Sequence, residues 1–234
     1  PDQPPRGDEG SSTGAGLPAV TVGGVLLVSW YRNPLEGDPP ASVSSRFMAP
    51  GGSPLRGDVV MSMTSGWFVR NLSATTNETE ALLLWRSGSD GILRAKLSAD
   101  VGLAGDVSLA VASPSARFPS AAPALDGYIV AWYEGPTLSP CTRSDSEPGR
   151  VLLRRLGPDG TTAGMPEGVV LEEPDGAWTA PHLAAGGDGT IGALWWRASP
   201  EAGGTCIMRV GVAEADLGAV TDGGVIGPGT SGRI

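Results

Sequence analysis

Acid–base chemistry in a chain starts from its histidines and its carboxylate pairs. His182 is the one histidine in 234 residues, and it follows Pro181 at the head of a short apolar run. A catalytic histidine needs a nucleophile on one side and an orienting acid on the other. No Gly-x-Ser-x-Gly, HExxH or glycine-rich phosphate loop accompanies it. His182 therefore reads as a strand-edge residue. Carboxylates cluster at Glu172, Glu173 and Asp175, and again at Asp145 and Glu147. Glycoside hydrolysis needs two carboxyls set across a cleft. Spacing along the chain does not fix that separation, and in a chain of net charge −9 such clusters read first as solvated acidic loops.

Metal and redox chemistry find equally little. Asp-Gly pairs at 90, 126, 159, 175, 188 and 222 supply oxygens, and calcium is the one cation these would suit. No twelve-residue calcium loop is present, so no cofactor is expected. Cys141 and Cys206 are the two cysteines, with no CxxC spacing for zinc or dithiol exchange. Two Arg-Gly-Asp triplets, at Arg6 and Arg56, are what a chain rich in these residues produces by composition.

Whatever chemistry the chain performs must be positioned by strands. Gly (36) and Pro (21) make up about a quarter of the residues and alternate with short apolar runs, which marks them as turns. The length suffices for one large all-β domain with its own core. A pI of 4.6 and the negative charge disfavour nucleic acid and anionic membranes, and no apolar run approaches the length of a transmembrane span. Residues 1–16, poor in apolar side chains, read as a flexible tail. The opening Pro1-Asp2-Gln3-Pro4-Pro5 lacks a signal-peptide pattern.

Four segments share one pattern: Leu26–Arg32, Leu82–Arg86, Tyr128–Glu134 and Ile191–Arg197. Their tryptophans, Trp30, Trp85, Trp132 and Trp195, are spaced by 55, 47 and 63 residues. A short strand precedes each, at 18–20, 71–73, 119–121 and 181–183, with Asp126-Gly127 and Asp188-Gly189 as the clearest turns between. A third strand follows each, at 43–48, 92–97, 151–156 and 207–212, and a fourth closes the unit at 58–61, 106–109, 169–171 and 224–226. The chain thus divides into repeats of 17–66, 67–116, 117–176 and 177–234. Each is a four-stranded antiparallel meander that is marginal alone, and stacking buries both faces of its Trp strand. The four tryptophans form the expected repeat core. Tyr31, Tyr133 and Trp196, which follow three of them, are expected to pack rather than to stack sugars.

On these residues the chain resembles bacterial secreted and lipoprotein-type β-propeller-like repeat proteins. The third repeat carries the resemblance most fully, through Pro119, Tyr128–Trp132, Val151–Leu156, Asp159-Gly160 and Gly164. The second lacks the proline and the second aromatic. The resemblance implies an all-β, β-propeller-like fold with four blades, either a closed ring or a fragment of a larger propeller. It also implies an exported location: periplasmic, extracellular, or tethered by an upstream lipid anchor. In such a fold the loops holding Cys141 and Cys206 emerge on one face. A disulfide between them is expected there, the alternative being two thiols on separate loops.

The loop after each Trp strand varies most: 33–42, 87–91, 135–149 and 198–205. All four emerge on one face, the usual place for recognition. They carry Asn33, Glu36, Asp38, Asp145, Glu147 and Glu201 as candidate binding residues. The expectation is a non-enzymatic exported binding or scaffold module with a protein or glycan partner. Its rivals are a glycan-acting hydrolase or lyase on the same scaffold, and a structural part of a larger envelope protein.

Overall fold

The computed structural model describes residues 17–32, 41–62, 69–87, 90–124, 126–135, 149–163, 169–172, 181–199, 205–214, 217 and 220–229. These form four antiparallel sheets and, among the described residues, no helix. Sheet 1 is β1 (Ala19–Val22), β2 (Val25–Arg32), β3 (Ser42–Met48) and β4 (Val59–Ser62). Sheet 2 is β5 (Val69–Thr76), β6 (Glu80–Ser87), β7 (Gly91–Ser98), β8 (Gly102–Leu103) and β9 (Ser108–Val111). Sheet 3 is β10 (Ala116–Ala124), β11 (Gly127–Glu134), β12 (Arg150–Leu156), β13 (Thr162–Ala163) and β14 (Val169–Glu172). Sheet 4 is β15 (His182–Ala185), β16 (Thr190–Ser199), β17 (Thr205–Glu214) and β18 (Val220–Gly229). Each sheet is a meander in chain order. In sheets 2 and 3 the expected fourth strand comes in two pieces, both paired to the third.

The turns follow from side-chain chemistry. In Asp159-Gly160-Thr161 and Asp188-Gly189-Thr190, the glycines take φ of 77° and 85°. The aspartate Oδ1 accepts from both the backbone N and the Oγ1 of the threonine two residues on. These two carboxylates act within their own turns.

The sheets pack side by side, and their strands alternate between two neighbours. On β6, Ala81, Leu83 and Trp85 meet Leu27, Val43 and Phe47 of sheet 1, while Leu82 and Leu84 meet Tyr128, Val130 and Trp132 of sheet 3. On β11, Ile129, Ala131 and Tyr133 turn to sheet 4, where Tyr133 and Val151 meet Ala193 and Trp195. Every residue of β6 from Ala81 to Trp85 and of β11 from Gly127 to Tyr133 is buried, as a strand covered on both faces must be. Cations stitch the turns of adjacent sheets. Arg56 of sheet 1 donates to the carbonyls of Ala99 and Asp100, and Arg94 and Lys96 of sheet 2 donate to those of Asp159 and Pro158. Sheets 3 and 4 meet where the Leu183 amide donates to Ser120 Oγ at 3.0 Å.

Three tryptophans follow one convention: Trp85, Trp132 and Trp195 each face the sheet before their own. Trp85, Trp132 and Trp195 are 0, 1 and 2% exposed on that account. Trp30 departs from the expectation of a buried repeat core. It is half-buried, because no described sheet precedes the first.

Candidate functional site

The Trp strands and the first strands of the sheets meet at the end where the long loops leave. Two first strands are distorted there. The register of β5 against β6 shifts between Arg70 and Ser73, and that of β10 against β11 between Arg117 and Ser120. Each shift sets two residues, Asn71-Leu72 or Phe118-Pro119, against a single tryptophan, Trp85 or Trp132. Asn71 and Phe118 take φ of 54° and 52°. A left-handed conformation is tolerable for asparagine but costs a bulky residue about 1–3 kcal/mol. Bulges of this kind gather at active-site rims, where they re-aim side chains.

Beside the second bulge sits a held carboxylate. Glu134 ends β11, and its side chain is 14% exposed. Trp132 Nε1 donates to its Oε1 at 3.2 Å, and Arg150 Nη2 and Nε donate to its Oε2 at 2.8 and 3.2 Å. Burial alone would raise the Glu134 pKa. The hydrogen bonds from Arg150, Trp132 and Ser113, with the charge of Arg150, outweigh it and hold the carboxyl below its ordinary value. The result is an ionised, largely desolvated carboxylate at the base of the longest loop. Arg117 Nε donates to the Gly135 carbonyl at 3.1 Å and ties the bulged strand to the same corner.

The loop base is also fixed by packing. The Tyr133 ring, 2% exposed, lies against Gly135 and Gly149, and a Cβ on either glycine would run into it. Burial raises the Tyr133 pKa, opposed by the charge of Arg117. Across sheet 3 the register runs Tyr133 to Val151 to Glu172. The backbone of Glu172 therefore stands two strands, about 10 Å, from Tyr133 at this same end. Of the clustered carboxylates singled out from sequence, Glu172 is the one whose backbone lies within the described residues.

Asn33, Glu36, Asp38, Asp145, Glu147, Glu201 and Cys141 lie outside the described residues, and so does any pairing of Cys141. Cys206 stands on β17 opposite Ala198 and Gly229. His182 opens β15 as an exposed residue paired with Leu194. Arg56 and Asp58 of the second Arg-Gly-Asp triplet are both engaged within the fold, Asp58 by Arg46. Sequence reasoning missed Glu134. Its signal was available: Glu134 stands two residues after its tryptophan, where the first and fourth repeats carry Arg32 and Arg197.

A concavity of about 390 Å³ opens at the opposite, turn-bearing end between sheets 2 and 3. Thr76, Asn77, Glu78 and Asp126 line it. Asp126 is paired to Arg155 there but its side chain is 63% exposed, and Glu78 is exposed as well, so among the described residues this hollow has no desolvated carboxylate of the Glu134 kind.

No protein-family model matches the chain, and no curated protein sequence does. Solved structures do match in fold. An exo-1,5-α-L-arabinanase from a bovine ruminal metagenomic library superposes with a TM-score of 0.55 at 13% identity, covering 88% of this chain and 76% of that one. The α-L-arabinanase of Cellvibrio cellulosa, solved with arabinohexaose, gives 0.54 at 12% identity over 88% and 76%. A PL25 ulvan lyase gives 0.55 at 10% identity over 91% of this chain and 58% of that one. The fold is β-propeller-like.

The propeller-like expectation holds, without the lipoprotein and Trp-repeat specifics attached to it. The expectation of a non-enzymatic binding module is corrected. These neighbours are glycoside hydrolases and a polysaccharide lyase, and they favour the rival, glycan-acting reading.

Proposed function

We propose that the protein is a glycan-acting hydrolase or lyase that works at the loop-bearing end of the seam between sheets 2 and 3. The observation that carries this reading is the Glu134 carboxylate, kept ionised by Arg150 and Trp132 where the bulged first strand is tied to Gly135. The polysaccharide-cleaving solved structures of similar fold support the substrate class. An ionised carboxylate suits a general base or nucleophile. Its partner in hydrolysis must be a protonated carboxyl. The carboxylates singled out from the sequence, Glu172 with Glu173 and Asp175, and Asp145 with Glu147, are the candidates for that acid. An exported setting, expected from the repeat resemblance, suits a polysaccharide substrate.

The test is a polysaccharide panel, arabinan and ulvan first, read for new reducing ends and for the ultraviolet absorbance of an eliminated product. The expected result is turnover of at least one glycan, lost by about 100-fold or more in Glu134→Gln. A folded chain that cleaves nothing across neutral and acidic glycans would end this reading.

A further inference from the structure

One face of sheet 3 sets two arginines and a tryptophan in a row with the Glu134 carboxylate. On β11, Val130, Trp132 and Glu134 alternate onto the face that meets sheet 2, and the register of β12 places Arg154, Leu152 and Arg150 directly across from them. Arg150 holds Oε2 of Glu134. Arg154, at the other end of the row, lies on the diagonal, with its guanidinium carbon 5.1 Å from the centroid of the Trp132 ring. The indole Nε1 in turn donates to Oε1 of Glu134 at 3.2 Å. The guanidinium is itself anchored, since Nη1 donates to the Ala110 carbonyl of sheet 2 at 2.8 Å. Its Nε is buried with no hydrogen-bond partner among the described residues. A buried charge so incompletely satisfied is costly to keep for packing alone. Sheet 1 has a similar stack, Arg46 over Trp30 at 5.5 Å, but there the guanidinium is paired to Asp58 and the residue two after the tryptophan is Arg32. Of the tryptophans in the chain, Trp132 is the one with a carboxylate two residues on.

We infer that Arg154 is a positioning residue for Glu134 that acts through the Trp132 ring: the guanidinium fixes the plane of the indole, and the indole N–H fixes one carboxylate oxygen. The contacts run in series from sheet 2 to the reacting group. Ala110 holds Arg154, Arg154 holds the ring, and the ring holds Oε1. Sheet 2 also reaches the carboxylate directly, since Ser113, three residues past Ala110, is among the groups that hydrogen-bond Glu134. The aim of the carboxylate thus depends on how sheets 2 and 3 are docked. The other charges at this corner are Arg150 across the ladder, Arg117 of β10 at the Gly135 carbonyl, and Arg86 of β6, which alternation places on the face of sheet 2 that meets sheet 3. All three remain when Arg154 is replaced. The inference rests on the proposed function for what Glu134 does, and not for how it is held.

The experiment follows the Trp132 Nε1–H of the isotope-labelled chain by NMR, with its signal assigned by its loss in Trp132→Phe. In Arg154→Met this proton is expected to exchange with solvent about ten-fold faster or more, while those of Trp85 and Trp195 keep their rates. The signal is also expected to follow the ionisation of Glu134 and to lose that titration in Glu134→Gln. In Arg154→Met the midpoint is expected to move to higher pH, because the Trp132 hydrogen bond is one of those that hold the Glu134 pKa down. Where Arg154→Met does not fold, Arg154→Lys serves: it keeps the charge without the planar face and is expected to give the same changes. With a cleaved glycan in hand, the acid limb of kcat/KM is expected to move up with the midpoint. A Trp132 signal whose exchange and midpoint are unmoved in the folded variant overturns the inference. So does equal acceleration at Trp85, Trp132 and Trp195, which would mark a general opening of the fold. The expected NMR changes in a chain that cleaves no glycan would end the proposed function and leave this inference standing.

Discussion

The Arg154 guanidinium lies 5.1 Å from the centroid of the Trp132 ring and reaches past it to the Ala110 carbonyl of the neighbouring sheet. One side chain thus clamps two sheets over a buried tryptophan. Burial pushes the Arg154 pKa down, opposed by the charge of Glu134. Arg154→Ala removes the cation–π contact and the hydrogen bond together and is expected to cost about 2–4 kcal/mol by chemical denaturation. Arg154→Met, which keeps much of the stem, is expected to recover part of that loss. A neutral Arg154→Ala would mean that the sheets hold together without the clamp.

Tryptophan truncation separates the four sheets. Trp132→Ala in the two-sided core is expected to cost about 3–5 kcal/mol. Trp30→Ala is expected to cost less than half as much, since the ring is already half in water. Equal costs would contradict the difference in cover between Trp132, which faces the sheet before it, and Trp30.

Gly149 is constrained by a neighbour and not by its own backbone. Gly149→Ala drives a methyl group into the Tyr133 ring and is expected to cost about 1–3 kcal/mol. In a Tyr133→Ala background the same change should cost little, because the ring is gone. Additive losses in the double variant would show that the glycine serves some other purpose.

The lowered pKa of Glu134 has a signed consequence. The folded state binds this proton less readily than the unfolded chain, so the stabilisation is complete above the ordinary glutamate range. It is lost as the pH falls through the folded value. Wild type is expected to melt above Glu134→Gln at neutral pH, with the gap closing in acid. A gap independent of pH would place the carboxylate outside the network described.

Tyr128 is fully buried, and its hydroxyl has no hydrogen-bond partner among the described residues. Burial, with the nearby charge of Glu80, raises its pKa far above the ordinary tyrosine value. Tyr128→Phe removes an unpaired buried donor and is expected to raise stability by about 1 kcal/mol. A loss of stability on that change would reveal a bonded hydroxyl.

Much of this architecture was legible in the residues. The tryptophan strands, the third strands and the Asp-Gly turns are local signals, and all four meanders follow from them. The side each tryptophan faces was not legible, because an apolar run covered on both faces carries no alternation to read. Nor was the bulge at Phe118, since a phenylalanine at positive φ contradicts its own propensity. The candidate site escaped for a related reason. Glu134 becomes significant only when Arg150 from the next strand and Ser113 from the sheet before it are brought around it. Attention to the residue two after each tryptophan would have singled it out.

The location of the site is tested most directly by hydrogen exchange of the Glu134→Gln chain with and without arabinohexaose. The account expects slowed exchange at 113–118, 132–135 and 149–151, at the loop-bearing end of the seam between sheets 2 and 3. Protection confined to the turns at 76–78, 124–127 and 158–160, or no protection from this or any other oligosaccharide, would contradict it.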